Sequence, residues 1–469
     1  MSSQLESWQR LKEKIVDNAQ EGENKAQLEL LLTHIILYLK RVFLGITEDM
    51  VPKVPDHPFF NIRHQPLSYE LGTELDYRLN LIANYKIVDG NRISQLLTAG
   101  LLPPSPLIFN QRQKEYLSAQ HMNLEIGTVA LANKLGISPR TVKHEQQQLF
   151  LRYGIHTASI IDPQRFGLTQ IGIQFRAKTI EMAEALDTWI RTKALGENQL
   201  PFLLGCGWDV NHQDGFLSLY MPNQNLWKQK FHRLLERLEE HFFETVNKHQ
   251  IQGCYSNINL DYYDPVSQHW RILSDVQTEG LARFIEIHGE QFAPLPGFDY
   301  NYETISFNQV DWLLALALGE GLLTKKERTH LLSSYGFRLA EKTIWTHERQ
   351  LRKLNALFPS LAFSYLTFGD IIFVSARCEE SSLSTLHQLI SQYARSRLYT
   401  TDIGVVAFIG VPVGGASLMK QLTLTLVNIS TLKEVSVLRF KRDIPQVPPL
   451  STFTLWNATT KRWEEPSDQ

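Results

Sequence analysis

The chain has 469 residues, enough for two to four domains with ample core. Its composition, 43% hydrophobic and 20% charged, is that of an ordinary globular protein, and a net charge of −2 excludes a global field that would draw in nucleic acid. Any nucleic-acid contact must therefore rest on local basic faces. The cysteines, Cys206, Cys254 and Cys378, stand far apart with no Cys-x-x-Cys pair, which excludes a sequence-local zinc knuckle and fits a reducing cytosol. The N-terminus has no basic-then-apolar leader. The strongest apolar run, residues 28–39, includes Glu29, Thr33 and His34 and is too short to span a bilayer, so a cytoplasmic location is expected.

Residues 4–18 and 24–46 read as helices, the second crowding Leu28, Leu31, Leu32, Ile35, Ile36 and Leu39 onto one side, a stripe expected to be buried against a neighbour. Residues 51–60, rich in proline, form an extended linker. Residues 67–102 hold a further helical patch, read as a packing extension or a degenerate helix-turn-helix, with packing preferred. Residues 1–106 are thus a helical region expected to support self-association or to clamp the downstream units.

Residues 128–155 predict two short helices joined by a tight turn, the shape that fits a DNA major groove. Ala132 lets the helices cross closely, and Gly136 suits the left-handed turn position. Ile137 and Val142 plug the space between them. Ser138 is a good N-cap, and Pro139 comes next at the first helical position, where a missing N–H costs nothing. Arg140, Thr141, Lys143, His144 and Gln147 project from the early turns of the second helix, donor-rich side chains suited to phosphates and base edges. An ordinary helical hairpin would share much of this pattern.

The stretch LANKLGISPRTV, the stop at Gly154 and Ile155, the following IIDPQRFGL (160–168) and the apolar strand IGIQF (171–175) together resemble the Lrp/AsnC (feast/famine) family of transcriptional regulators. The resemblance covers the helix-turn-helix and the entry to the next domain. It implies an α+β chain with a winged helix-turn-helix followed by a ferredoxin-like sandwich, double-stranded DNA as partner and a small-metabolite effector. One position departs: Gln146 stands where the family usually carries an apolar residue.

The pattern then recurs. Phe109-Asn110-Gln111 returns as Phe307-Asn308-Gln309, each after a proline-rich segment, and TVKHEQQQL (141–149) returns as TIWTHERQL (343–351). Gly336 matches Gly136, and Glu348 stands where Gln146 stands. After the first hairpin the expected order is strand 168–177, helix 179–195, strands 201–206 and 215–221, helix 224–248, strand 252–262. After the second it is strand 371–377, helix 382–396, strands 397–401 and 405–411, helix 415–427, strand 433–440. Both are the βαββαβ order of a ferredoxin-like sandwich. Each is expected to end in a hairpin, at 260–270 and 453–463. The expected domains are therefore 1–106, 107–160, 161–297, 298–360 and 361–469, an internal duplication forming a covalent pseudo-dimer with a pseudo-twofold axis.

Basic residues gather in both hairpins: eight against three acidic residues over 323–357, and four against one over 131–152. The resemblance places Ser138, Arg140, Thr141, Lys143, His144 and Gln147 on DNA in the first unit, and Arg338, Lys342, Thr343, Thr346 and Arg349 in the second. Trp345, outside the core register, is expected to pack on the sandwich rather than stack on a sugar. The fifteen histidines show no His-Glu-x-x-His pair, and no phosphate-binding loop or nucleophile elbow is present. Asp209, His212 and Asp214, and the glycine-rich run 410–417, have the composition of ordinary turns. No cofactor, metal or enzymatic role is expected. Two other readings remain open, a tetrapyrrole enzyme like the siroheme decarboxylases, which resemble Lrp/AsnC proteins in domain order, and a scaffold that has lost DNA contact.

Overall fold

A computed structural model describes residues 2–19, 25–46, 68–100, 109–122, 126–190, 200–260, 263–266, 269–270, 297–300, 303–362, 370–411, 416–429, 431–440 and 450–464. The expected linker at 51–60 lies outside them. The chain mixes helix and sheet, and no described helix is long and apolar enough to cross a membrane.

Helices α1 (Ser2–Asn18), α2 (Lys25–Leu44), α3 (Tyr69–Asn84) and α4 (Gly90–Thr98) open the chain. Ser68 caps α3 by accepting from the Leu71 N–H, and Asp89 caps α4 by accepting from the Arg92 N–H. The Leu28 to Leu39 stripe of α2 is buried, as its spacing predicts. Of the helical patch expected at 67–102, residues 68–100 are described, and there Arg78 spans α3 and α4, bonding the Leu96 and Ala99 carbonyls and Glu74.

Three helices come next, α5 (Gln111–Met122), α6 (Thr128–Leu135) and α7 (Pro139–Tyr153), and then strand β1 (His156–Ile161). After it lie β2 (Leu168–Ala177), α8 (Ile180–Trp189), β3 (Leu203–Trp208), β4 (Asp214–Pro222), α9 (Asn225–His241) and β5 (Phe243–Ile258). The short strands β6 (Tyr263–Asp264), β7 (His269–Trp270) and β8 (Gly297–Asp299) lead to a second series. That series is α10 (Gln309–Glu320), α11 (Lys325–Ser334), α12 (Glu341–Lys353), β9 (Leu357–Ala362), β10 (Asp370–Cys378), α13 (Leu383–Ser391), β11 (Arg395–Thr401), β12 (Gly404–Val411), α14 (Ala416–Asn428) and β13 (Leu432–Phe440). Strands β14 (Trp456–Asn457) and β15 (Arg462–Trp463) close it.

The first sheet runs β5-β2-β4-β3 and the second β13-β10-β12-β11, so in both the fourth strand lies beside the first and the second lies at the edge, all antiparallel. The expected βαββαβ order is present in both halves. Two boundaries differ: the helix expected at 382–396 stops at Ser391, with 395–396 already in β11, and the helix expected at 224–248 stops at His241, with 243–250 paired to β2 instead. Burial of Phe243 in the first sandwich core and the β2 ladder outweigh the local helical pattern there.

Strand β5 is long because it serves both sheets. Its first half pairs with β2, its second with β11. At the opposite ends, Asp209 after β3 bridges to Phe440 of β13, and the Val210 N–H donates to the Arg439 carbonyl at 2.9 Å. The two sheets therefore meet at both margins and face each other across a core of Phe216, Phe373, Phe408 and Phe440, with Phe373 and Phe440 stacked at 4.8 Å. Gly172 admits the Phe216 ring: an added Cβ would sit 2.4 Å from it. Gln174 and Ser375 bond directly across the gap at 2.6 Å.

The three-helix units cross over. The α5–α7 unit shares its core with Leu361 and Ala394 from the second half, alongside Ile258, Leu260 and Tyr263. The α10–α12 unit packs with Phe166, Phe202 and Tyr220 from the first half and with α2–α4. Strands β1 and β9 pair with each other, His156 opposite Ala362 through Ile161 opposite Leu357, where a wing would fold back on its own unit. Each small hairpin seats a ring on the repeated Phe-Asn-Gln motif: Tyr263 on Phe109 at 5.2 Å, and Trp456 stacked on Phe307 at 3.9 Å.

The N-terminal helices clamp the α10–α12 unit. The Tyr77 hydroxyl donates to Glu320 at 2.6 Å, Lys86 reaches the Ser334 carbonyl and lies over the Tyr335 ring, and Arg92 donates to the Leu322 carbonyl. Burial pushes the Glu320 carboxyl up to about 7. A carboxyl raised on folding contributes stability present in full at acid pH and lost as pH rises from the ordinary carboxyl range toward 7, on the order of 3 kcal/mol. Glu320→Gln keeps an acceptor for Tyr77 and removes the charge. The stability of the variant relative to the parent is expected to rise by on the order of 3 kcal/mol between pH 5 and about 7.5, as denaturant titration of the pair across that range would measure. The buried histidines His156 and His249, lowered by desolvation, contribute equally to both.

Candidate nucleic-acid interface

The paired helices α6–α7 and α11–α12 are built by local chemistry legible in the chain. Gly136 ends α6 at φ +64°, and the Ile137 N–H returns to the Ala132 carbonyl at 3.0 Å. Ser138 then caps α7, its hydroxyl accepting from the Thr141 N–H at 3.1 Å with Pro139 next in line. In the second unit, Thr324 and Glu327 form a reciprocal capping box on α11, and Gly336 turns the chain at φ +91°. The first helices are capped alike, Asn110 with Gln113 and Asn308 with Asp311, which explains the repeated motif.

Leu131, Ala132, Val142 and Leu149 are buried in the first unit, and Leu331, Leu332, Ile344 and Leu351 in the second. A polar bridge ties the first to the third helix in each. Gln113 donates to Glu145 at 3.3 Å, and His347 meets Asp311 at 2.6 Å.

The outward faces carry the predicted residues. Arg140, Lys143, His144 and Gln147 are exposed, with no side-chain partner among the described residues. Ser138 and Thr141 share a hydroxyl contact at 2.9 Å, so both serve the cap. On α12, Lys342, Thr343, Thr346 and Arg349 are exposed, with Arg338 on the preceding turn. The Thr346 hydroxyl returns to the Lys342 carbonyl, and the Arg349 guanidinium lies 5.5 Å from the Trp345 ring centre.

Three expectations meet a different arrangement. Trp345 does not pack on a sandwich: it is 48% exposed and lines a groove of about 400 Å³ with Lys325, Thr329 and Lys342. The sequence repeat of Gln146 and Glu348 does not extend to their surroundings. Glu348 is held by Arg328 at 2.7 Å, whereas Gln146 faces an open groove. Of the eight basic residues in the second hairpin, Arg328 and Arg352 are turned inward, the latter toward Ser159. Asp209 accepts three backbone N–H bonds, from Asn211, Gln213 and Asp214, and so organises its own turn.

Two features were not anticipated. Between the sheets, Tyr220, Cys254, Tyr300 and Tyr399 cluster near Asp162 and Arg397; burial raises the Tyr220 and Tyr300 hydroxyls and pushes Cys254 up to about 11. Tyr300 donates to Gln170 at 2.8 Å, and Gln170 to Ser218 at 3.2 Å. The strand periodicity could have placed Tyr220 and Tyr399 inward, but their meeting depends on the two sheets facing each other. The second is the groove beside α7, floored by Phe150 and Arg92.

No protein-family model matches the sequence, and no curated protein matches it. Among solved structures, the siroheme decarboxylase NirDL is similar over 72% of this chain and 93% of its own, at 12% identity and a TM-score of 0.43. NirDL in complex with an iron-uroporphyrin III analogue covers 73% of this chain and 96% of its own, at 12% identity and a TM-score of 0.44. Escherichia coli AsnC covers 31% of this chain and 92% of its own (12% identity, TM-score 0.24). A Neisseria meningitidis transcriptional regulator with L-methionine covers 30% and 89% (17% identity, TM-score 0.24). The expectation of no enzymatic role is corrected here, because the structures similar over most of the chain are those of an enzyme.

Gly321, the α10 C-cap, joins the two units. At φ +68° it lies against β1, where an added Cβ would stand 2.2 Å from the Thr157 carbonyl oxygen. Gly136 has a similar φ of +64° with open space around it. Gly136→Ala is therefore expected to cost about 1 kcal/mol and Gly321→Ala about 3 kcal/mol or more, a contrast that paired thermal melts would read.

Proposed function

We propose that this chain is a DNA-binding transcriptional regulator of Lrp/AsnC type, acting as a covalent pseudo-dimer that carries two winged helix-turn-helix-like units. The observation that supports the reading is the pair of exposed donor faces. Arg140, Lys143, His144 and Gln147 on α7 and Lys342, Thr343 and Arg349 on α12 project from the early turns of helices that leave them without internal work. The β1–β9 ladder joins the C-terminal ends of those two helices through short connections. Such a pair would engage half-sites about one helical turn apart.

Duplex binding measured at two or more salt concentrations tests this. Lys143→Ala is expected to weaken all sequences alike and lower the salt slope by about 1. Arg349→Ala is expected to cost roughly 1–3 kcal/mol and relax specificity at one position. Absence of any salt-dependent affinity for duplex DNA in low salt would sink the reading.

A second reading, an enzyme acting on a tetrapyrrole, draws support from the buried cluster between the sheets. Tyr220 and Tyr300, raised by burial, keep their hydroxyl protons at neutral pH and could donate to a carboxylate side chain. An iron-uroporphyrin titration followed in the visible range addresses it. A band shift lost in Tyr300→Phe would favour this reading, and an unchanged spectrum would remove it.

A further inference from the structure

The groove beside α7 has a volume of about 480 Å³, within the range of pockets that take small metabolites. Its walls come from four parts of the chain. Lys143, Gln146, Gln147 and Phe150 belong to α7; Arg92 and Gln95 to α4; Ile155, His156 and Thr157 to the entry of β1; and Gly321 to Thr324 to the turn between α10 and α11. The groove thus brings α7, the N-terminal helices and the second unit to one open space.

The chemistry of the walls is uneven in a way that selects a ligand. The Arg92 guanidinium lies over Phe150, 5.1 Å from its ring centre, with Leu322 and Ile155 beside the pair. That spacing leaves no room for a ring between them, so the pair acts as one platform on which a flat π-system can stack. Arg92 is already compensated by Glu327 at 3.5 Å and by the Leu322 carbonyl, so it adds stacking surface more than free charge. Lys143 is the rim's uncompensated cation among the described residues. Gln146 and Gln147 carry amides without partners among the described residues, each able to donate and accept at once. A planar heterocycle with hydrogen-bonding edges and one anionic group matches this set.

We infer that the groove between α7, α4 and the α10–α11 turn is a binding site for a nucleoside monophosphate, with the base over Phe150 and Arg92, its edge at the glutamine amides and the phosphate at Lys143. The site also regulates. Lys143 and Gln147 are among the residues assigned to DNA, so a ligand that occupies them competes with the duplex. Gly321 and Thr157, which touch where the two units meet, also line the groove. This regulatory part rests on the DNA-binding reading; the site itself does not.

The test uses the full chain and three probes: adenosine 5′-monophosphate, adenosine and inorganic phosphate. Calorimetry without DNA is expected to give the monophosphate a dissociation constant below about 1 mM, with adenosine and phosphate each at least about tenfold weaker. Lys143→Gln should remove the preference for the monophosphate over adenosine, and Phe150→Leu should weaken both, with melting curves confirming that each variant is folded. Duplex affinity measured with and without the monophosphate should then fall in the parent and stay unchanged in Phe150→Leu. No binding of any probe, or binding indifferent to both substitutions, overturns the site. Binding that leaves duplex affinity unaltered overturns the regulatory role. Ligand binding that responds to the two substitutions in a protein with no duplex affinity supports the site and removes the DNA-binding reading instead.

Discussion

The pairing of β1 with β9 is the constraint on which the arrangement of both units depends. Only Gly154 and Ile155 separate α7 from β1, and only Leu354 to Ala356 separate α12 from β9. With so little slack, the antiparallel ladder dictates where each third helix can lie. Residues from opposite halves of the chain meet there, so the loop-closure cost is met once and then shared by every contact the ladder brings together. The crossing of units onto opposite sandwiches is a consequence. Leu361, one pair from the ladder's end, lands in the core of the first unit, and Ile161 and Phe166 land in the core of the second.

The face-to-face sheets add a second closure of the same kind. Strand β5 leaves one sheet and enters the other with a register shift at Thr400 and Thr401, the sort of irregularity that lets a strand bend. The matching contact at the other margin is reduced to the Asp209–Phe440 bridge. The sheet faces that would otherwise be wet are buried on phenylalanines, and the polar residues between them have to find one another. Gln170, Ser218 and Tyr300 do so in a chain of hydrogen bonds.

Local chemistry was the legible part of this sequence. The capping signal at Ser138, the left-handed turn at Gly136 and the alternation of the sandwich strands act over a few residues, and the elements form where those signals lie. What was hidden depends on partners far away in sequence. The stretch after His241 carries a helical pattern, yet Val246 sits opposite Phe175 in a ladder that only the folded sheet provides. Trp345 gives no sign in sequence that its ring will be left to Arg349 and solvent. Arg92, on a helix with no resemblance to anchor it, could not be assigned to a groove whose other wall is α7. The likeness of Gln146 to Glu348 was visible, but Arg328, which neutralises only the second, comes from a helix whose capping differs between units.

Charge use separates the two halves more than sequence does. In the second unit, Arg328 and Arg352 are turned to internal oxygens, and the N-terminal helices grip the α10–α11 region through Tyr77, Lys86 and Arg92. The first unit has a lighter tether to those helices, the Gly100 N–H to the Leu151 carbonyl at 3.0 Å among its contacts. Two helical units of similar build are therefore held with different stiffness: one is embedded in the large N-terminal core, the other rests on its own smaller one. Mobility tracks the weaker packing, since elements with fewer buried apolar contacts open at lower free energy. The first unit, with the smaller core, is the one expected to open locally at lower free energy, and the groove at its edge lies between α7 and the more deeply embedded half.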